Sequence, residues 1–281
     1  MVKKQQLILM AGGFLLLILL FFFGKTIPDK KPVTIAANTP HEEKAIDVEK
    51  MLTHAKEKLN LSQLQKVTSL ENSVKRGDVK NQQISVYKQL SSFWRDSIGL
   101  FEPYAYYTAE AAKLENSEKT LTFAAHLFLN SLKTEENGAM QKWLATNAKD
   151  LFERALQINS ANDSSTIGLG ACYIFGNIAD NPMQGIAPIR QIVDKNPDNL
   201  FGQFILGLGG IKSGQYDKAI ERLKIVVEKQ PDNLEAALNL AETYDRKGEK
   251  DNAVKWYKEV KQKIANPEAQ KELDARIKTL Q

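Results

Sequence analysis

The chain has 281 residues, of which 43% are hydrophobic and 26% charged, so it can form one or two folded units with a substantial core. A wholly disordered chain is therefore excluded. The formal net charge of +4 is small for this length, and basic and acidic residues are interspersed, so nucleic-acid binding is not indicated. The single cysteine, Cys172, rules out an intrachain disulfide and a cysteine pair for a metal, and we expect it to be buried as a small hydrophobic residue.

Residues 7–24 form an uncharged apolar run near the amino terminus. As a helix, this run is about 27 Å long at 1.5 Å per residue, which is close to the hydrocarbon thickness of a bilayer. A cleaved signal peptide is the alternative, because residues 1–6 form a short basic head. The run is long for a signal peptide, however, and it ends in bulky Phe22 and Phe23 instead of a small-x-small cleavage site. We therefore predict an uncleaved, single-pass membrane anchor.

The orientation of this anchor depends on the charges that flank it. Lys3 and Lys4 lie on one side and three lysines within 25–31 on the other, so the charge comparison is nearly balanced. A short head before a first hydrophobic segment usually stays in the cytoplasm. We therefore expect residues 1–24 to be a cytoplasmic head and transmembrane anchor, with the large domain outside the cytoplasm, in the periplasm if the protein is bacterial. Residues 25–40 contain three prolines and no apolar period, which predicts a linker.

Residues 41–77 show the spacing of two short helices. Apolar residues recur at helical intervals over 41–60 and again over 62–76, with Gly77 as the stop. These helices could form a lid on the following domain, a stalk, or a short coiled coil with another copy. The heptads are too few to decide between the three.

A period of 34 residues dominates the carboxyl-terminal part of the chain. The segment Asn196-Pro-Asp-Asn-Leu200 returns as Gln230-Pro-Asp-Asn-Leu234. The same spacing relates Leu206 to Leu240, Gly214 to Gly248, Ala219 to Ala253, Val226 to Val260 and, in the other direction, Gly185 to Ala219. The repeated unit is an apolar helix, a glycine turn, a second helix with small residues on one face, and a Pro-Asp-Asn turn. This is a helical hairpin.

The pattern resembles the tetratricopeptide repeat, which has a 34-residue period. The copy that begins at Leu200 carries Leu206-Gly207, Gly214, Tyr216, Ala219, Leu223 and Pro231. The next copy carries Leu240-Ala241, Tyr244, Gly248, Ala253, Tyr257 and Val260. The resemblance implies an all-α solenoid of stacked hairpins, in which small residues lie where two helices cross.

With the family's spacing, residues 78–267 divide into about five such hairpins. The first has helices near 86–97 and 103–115. The second has its leading helix near Phe123 and its second helix near Phe152, with an insertion at 133–144. The third has an enlarged turn at 177–183. Residues 268–281 are expected to form a helix that caps the last repeat.

No motif in the sequence indicates catalysis or cofactor binding. The three histidines are scattered, and His41-Glu42-Glu43 lacks the second histidine of a zinc helix. The glycines at 207–210 lie inside a predicted helix without a following Lys-Ser or Lys-Thr, so they indicate helix packing and not phosphate binding. We predict no cofactor, no metal and no enzyme activity.

The resemblance implies instead a groove that binds peptides or helices of other proteins, lined by the first, or leading, helix of each hairpin. Helical phase places in this groove Trp94, Thr122, His126, Ile167, Ala171, Phe175, Phe201, Phe204, Leu208, Leu238, Glu242 and Arg246. These residues are largely apolar, so an apolar segment such as an amphipathic helix is the expected ligand. The alternative is that Phe201, Phe204 and Leu208 pack against the neighbouring repeat.

The sequence thus predicts a membrane-anchored scaffold or assembly factor that binds a protein partner. Two other functions stay open. The chain could be a self-associating structural component that forms homo-oligomers through 41–76, or a regulatory subunit of a membrane-associated enzyme.

Overall fold

The computed structural model describes residues 45–76, 79–178 and 181–281. The predicted head and anchor at 1–24 and the linker at 25–40 lie outside these residues. Within the described ranges, no helix is long and apolar enough to cross a membrane.

The described residues form an all-α fold. The first two helices are α1 (Val48–Lys56) and α2 (Leu61–Arg76). The hairpin helices are α3 (Lys80–Ser92), continued by a π-helix (Phe93–Ile98), α4 (Phe101–Glu115), α5 (Glu118–Leu132), α6 (Gly138–Ile158), α7 (Asp163–Phe175), α8 (Met183–Lys195), α9 (Leu200–Lys212), α10 (Tyr216–Lys229), α11 (Leu234–Lys247) and α12 (Lys250–Lys263). The last helix is α13 (Pro267–Leu280).

Asparagine side chains start several of the leading helices. The Oδ1 atom of Asn199 accepts the backbone N–H of Gly202 at 3.0 Å, and Asn233 accepts that of Ala236 at 3.0 Å. These bonds satisfy amides that have no partner within the helix. The Asn of the repeated Pro-Asp-Asn motif is therefore the N-cap of the next leading helix. Asn162 caps α7 in the same way, although no Pro-Asp precedes it.

The glycine turns of the repeat also have a backbone reason. Gly214 follows α9 with φ +72°, and Gly248 follows α11 with φ +85°. Residues with a Cβ rarely adopt this left-handed conformation. Glycine at these two positions therefore ends the leading helix of the fourth and fifth hairpins.

Consecutive helices pair as five hairpins, α3/α4 through α11/α12, with α13 packed on α12. The small residues predicted at the crossings lie where helix backbones come closest. A Cβ added to Gly185 in α8 would be 2.1 Å from the carbonyl oxygen of Gly170 in α7. At the corresponding crossings of the fourth and fifth hairpins, Ala219 and Ala253 are fully buried.

The second hairpin differs from the prediction of an insertion at 133–144. The 21-residue helix α6 begins already at Gly138, because Asn137 caps it and the apolar residues Trp143, Leu144 and Ala145 are buried in the core. Much of the predicted insertion is therefore an extension of the hairpin helix. The connection that remains between α5 and α6 is short.

The two helices before the repeats pack onto the first hairpin. Val67 of α2 is fully buried, and Ala55 of α1 is 6% exposed. They share a core with Leu90, Trp94 and Tyr107 of the first hairpin. α1 and α2 thus lie on the first hairpin, and we call them the lid helices; the stalk or lid at 41–77 stays a prediction. At the other end, Leu273 and Ile277 of α13 are buried, as a capping helix requires.

Candidate partner-binding surface

The leading helices α5, α7, α9 and α11 lie side by side and form one surface, which we call the leading-helix face. Side chains from different hairpins contact one another and cover the central part of this face. The His126 Nε2 atom lies 2.9 Å from the Ser164 hydroxyl, and its ring meets the Phe152 and Phe201 rings edge-on, with centroids 5.1 and 5.3 Å away. Because burial disfavours the charged imidazole, the pKa of His126 is lowered. His126 therefore joins the second hairpin to the third and fourth.

Lys133 connects the second hairpin to the fifth hairpin across the same face. Its ammonium lies 5.3 Å from the centre of the Phe204 ring in α9 and 2.7 Å from Glu235 in α11. The side chain is only 11% exposed. A residue at the end of α5 thus contacts a residue 102 positions later. The central leading-helix face is consequently occupied by the chain's own side chains.

Five of the twelve predicted groove residues do not face a groove. Trp94, Ile167 and Ala171 are fully buried, and Phe175 and Phe204 are 7% exposed. The prediction of groove exposure was wrong for these five, because their side chains point into the hydrophobic cores between helices. For Phe204, the structure agrees with the alternative that it packs against neighbouring repeats.

Four other predicted groove residues, Thr122, His126, Phe201 and Leu208, are half-buried. The Thr122 hydroxyl lies 3.1 Å from that of Ser165, and the Phe201 ring contacts His126. These residues stay candidates for a partner contact, but they already hold the hairpins together.

The last three predicted residues lie together in a cavity of about 460 Å³, which we call the carboxyl-terminal slot. It lies between α11 and α13, with α12 beneath. Its lining consists of Leu238, Glu242, Asp245, Arg246, Tyr257, Ile264, Ala269, Glu272, Leu273 and Arg276. The slot therefore has an apolar part and a charged rim.

The charges of this slot divide into a paired and an unpaired group. Arg276 contacts the Asp245 carboxylate at 2.6 Å, and the Tyr257 hydroxyl donates to it at 3.1 Å. Burial, with the Asp245 charge, raises the pKa of Tyr257 to about 12. Glu242, Glu272 and Arg246, in contrast, form no hydrogen bond or ion pair within the part of the chain that the structure describes. These three groups are available to a partner.

A second cavity, of about 250 Å³, lies between α3 and α5 with α4 as its floor. These two leading helices lack the side-by-side packing that α5, α7, α9 and α11 show. Phe123 stands at its edge and is 59% exposed. Phe123 is not among the residues predicted for the groove, although it lies one helical turn before His126 on the same leading helix.

The single cysteine and the possible metal ligands of the described residues form no reactive site. Cys172 is fully buried, and burial raises the pKa of its thiol to about 12. In the described ranges, no three His, Cys, Asp or Glu residues are placed to hold a metal ion. The absence of an enzyme activity stays a prediction.

Comparison with known proteins supports the repeat assignment. Residues 211–277 match the family model described as tetratricopeptide repeat. Curated protein sequences give no match. Among solved structures, TTC0263, a thermophilic TPR protein of Thermus thermophilus, is similar with a TM-score of 0.51 at 17% identity, covering 72% of this chain and 98% of that one.

Two further solved structures are similar at lower TM-scores. MamA of Desulfovibrio magneticus RS-1 is 18% identical with a TM-score of 0.42, covering 66% of this chain and 96% of that chain. YrrB, described as a TPR protein with an unusual peptide-binding site, is 17% identical with a TM-score of 0.41, covering 74% and 99%. From the family match and the fold of TTC0263, the chain carries tetratricopeptide repeats in residues 211–277 within an all-α solenoid of that type.

Proposed function

We propose that this protein is a scaffold or assembly factor that binds a segment of a partner protein in the carboxyl-terminal slot. The observation that carries the proposal is the combination in one 460 Å³ cavity of apolar side chains with three unpaired charges. Sites for peptides and other ligands typically combine an apolar floor with a few polar groups that fix orientation. Elsewhere on the leading-helix face, the chain's own contacts fill the central surface.

The slot also indicates what the partner segment should contain. Leu238, Ile264 and Leu273 would receive an apolar side chain. Glu242 on α11 and Glu272 on α13 would receive a basic group, and Arg246 an acidic one. An amphipathic helix with both kinds of charge beside its apolar stripe supplies these groups.

The membrane anchor is part of the same proposal and rests on the apolar run at 7–24. An anchored scaffold would hold its partner near the bilayer, with the repeats outside the cytoplasm. We expect the full chain to stay with membranes through a carbonate wash, and a fragment that begins at Thr39 to be released. Recovery of the full chain in the wash would contradict the anchor.

Self-association through 41–76 is less well supported. Val67 and Ala55, the buried apolar residues of α1 and α2, pack on the first hairpin, although Leu61 at the start of α2 is exposed. Among the described residues of α1 and α2, the apolar side chains that are buried are therefore already in contact with this chain's own first hairpin.

The test is the affinity of a partner recovered by capture with the full chain. Truncation of a central interface residue typically costs more than about 1 kcal/mol when it is a hot spot, so Leu238→Ala should weaken binding about 5-fold or more. Arg246→Glu should weaken it as well. Lys258→Glu is the matched control, because Lys258 is exposed on α12 and does not line the slot. If the Lys258 variant loses as much affinity as the slot variants, the slot is not the binding site.

A further inference from the structure

A third cavity, of about 410 Å³, lies at the other end of the molecule, between the lid helices and the first hairpin. We call it the tyrosine cleft. Its lining consists of Glu49, Leu52, Thr53 and Lys56 from α1, Glu71 and Val74 from α2, Tyr87 and Leu90 from α3, and Tyr106 and Tyr107 from α4. None of these residues lines the carboxyl-terminal slot, so the cleft is independent of the proposed function.

Tyr107 forms the fixed floor of the tyrosine cleft. It is 3% exposed, and its hydroxyl donates to Glu71 Oε1 at 2.6 Å. Lys56 donates to the other oxygen of the same carboxylate at 2.7 Å. These two hydrogen bonds join α1, α2 and α4. The Glu71 carboxylate also neutralises the charge of Lys56. Lys56, the cation that lines the cleft, is therefore already paired with Glu71.

Two further aromatic rings stand against this floor. The Tyr106 ring centroid is 5.1 Å from that of Tyr107 at an interplanar angle of 69°, and the Tyr87 centroid is 6.1 Å away at 30°. Both outer tyrosines are half-buried. The three rings form a wall whose electron-rich faces can attract a positive charge.

The charges around the rings favour a cation and disfavour an anion. Burial raises the pKa of Tyr106 to about 12, with further contributions from the charges of Glu110, Glu49 and Glu71. Glu110 pairs with Lys113 at 3.1 Å. The Glu49 side chain forms no hydrogen bond or ion pair with any residue that the structure describes. The carboxylate of Glu49 therefore stands beside the tyrosine rings without a partner among the described residues.

This protein already places cations on aromatic rings elsewhere. Lys66 lies 5.4 Å from the Phe93 centroid, and Arg95 lies 5.6 Å from that of Tyr104. Over residues 45–76, 79–178 and 181–281, no such cation of the chain itself lies on Tyr87 or Tyr106. These two rings are thus available to a cation from outside the chain.

We propose that the tyrosine cleft binds an organic cation, an ammonium or guanidinium group, between the rings of Tyr87 and Tyr106 and the carboxylate of Glu49. Such a group has two sources, a lysine or arginine side chain of another protein and a free small organic cation. The chemistry of recognition is the same for both: ring faces and a carboxylate around a positive charge with apolar surroundings.

The test is an NMR titration of the full chain, carrying labelled tyrosines, in an uncharged maltoside detergent. The probes are the N-acetyl methylamides of lysine and arginine and the tetramethylammonium ion, each added as the chloride. The N-acetyl methylamide of norleucine is the neutral control. We expect saturable shifts of the Tyr87 and Tyr106 signals with the cations and none with norleucine. Tighter binding of the amino acid derivatives would assign the cleft to a protein side chain, and tighter binding of tetramethylammonium to a small molecule.

Paired variants complete the test. Tyr106→Leu should weaken cation binding about 2- to 30-fold, the range expected for the loss of one cation–π contact. Tyr104→Leu, on the same helix but outside the cleft, should leave binding unchanged. Glu49→Gln should weaken binding, and Glu57→Gln, an exposed residue just after α1, should not. Equal binding of norleucine, no saturable shift with any cation, or unchanged affinity in the Tyr106 variant would each overturn the proposal.

Discussion

The crossing of α7 and α8 allows a prediction in which a single methyl group decides the outcome. Gly185→Ala would place a Cβ 2.1 Å from the carbonyl oxygen of Gly170 and 2.9 Å from its carbonyl carbon. Both atoms belong to a helix backbone, so neither can rotate away. The two helices would have to separate by about 1 Å to restore ordinary contact. Overpacking of this kind costs about 1–3 kcal/mol, and we expect the upper half of that range because the clash is with backbone.

The matched control is another glycine-to-alanine change in a helix of the same solenoid. A Cβ at Gly209 in α9 would lie 3.5 Å from the nearest atom, Cγ2 of Ile174, which is an ordinary contact. Alanine is also favoured over glycine inside a helix by up to about 1 kcal/mol. Gly209→Ala should therefore be neutral or stabilising, and Gly185→Ala destabilising.

Urea unfolding followed by circular dichroism gives the free-energy difference, and hydrogen exchange gives its location. Because each hairpin contacts mainly its neighbours, protection should fall in α7, α8 and the hairpins beside them more than in α1 and α2. The reasoning is refuted if Gly185→Ala proves as stable as Gly209→Ala, or if protection falls equally along the chain.

Three other predictions concern contacts between elements. Lys133→Met should lower the free energy of unfolding by about 0.5–2 kcal/mol, because the contact with the Phe204 ring and the ion pair with Glu235 are lost. Hydrogen exchange should rise at the start of α9 and α11. An unchanged exchange pattern would contradict the role of Lys133 in joining these helices. Glu71→Ala leaves the Tyr107 hydroxyl without its acceptor, which should lower the free energy of unfolding by about 1–3 kcal/mol. Hydrogen exchange should then rise in α1 and α2. A rise in exchange confined to the repeats would contradict the role of Glu71 in joining the lid helices to the first hairpin. Since burial lowers the pKa of His126 below the value of about 6.5 expected in the unfolded chain, the unfolded state binds more protons below that pH. Stability should therefore fall as the pH drops below about 6.5, and His126→Gln should lose less stability than the natural chain between pH 7.5 and 5.5 in urea titrations.

The hairpin architecture could be predicted from sequence because its determinants are local. The caps at Asn199 and Asn233, the left-handed glycines and the small residues at helix crossings each act within one hairpin, so they recur at the 34-residue period. The start of α6 was harder to predict. Its cap, Asn137, lies within the polar segment that was interpreted as an insertion.

The partner-binding surface could be predicted only in part, because it depends on how the hairpins stack. Helical phase shows which side of a leading helix a residue occupies, but not whether the next hairpin covers it. Phe204 is covered because Lys133, from a hairpin far earlier in the chain, reaches its ring. Leu238 stays half-buried and lines the slot, because α13 contacts α11 through the Arg276–Asp245 ion pair and leaves a cavity beside it.

The central claim is that the carboxyl-terminal slot binds a segment of a partner protein, and the most direct measurement is site-specific photocrosslinking. A benzoylphenylalanine at Arg246 should crosslink to one protein, and unlabelled full chain should compete with that adduct, whereas full chain carrying Leu238→Ala should compete less well. The same group at Lys258, outside the slot lining, should give no such adduct. If both positions crosslink to the same protein equally, or if the Leu238 variant competes as well as the natural chain, the slot is not the site at which this protein binds its partner.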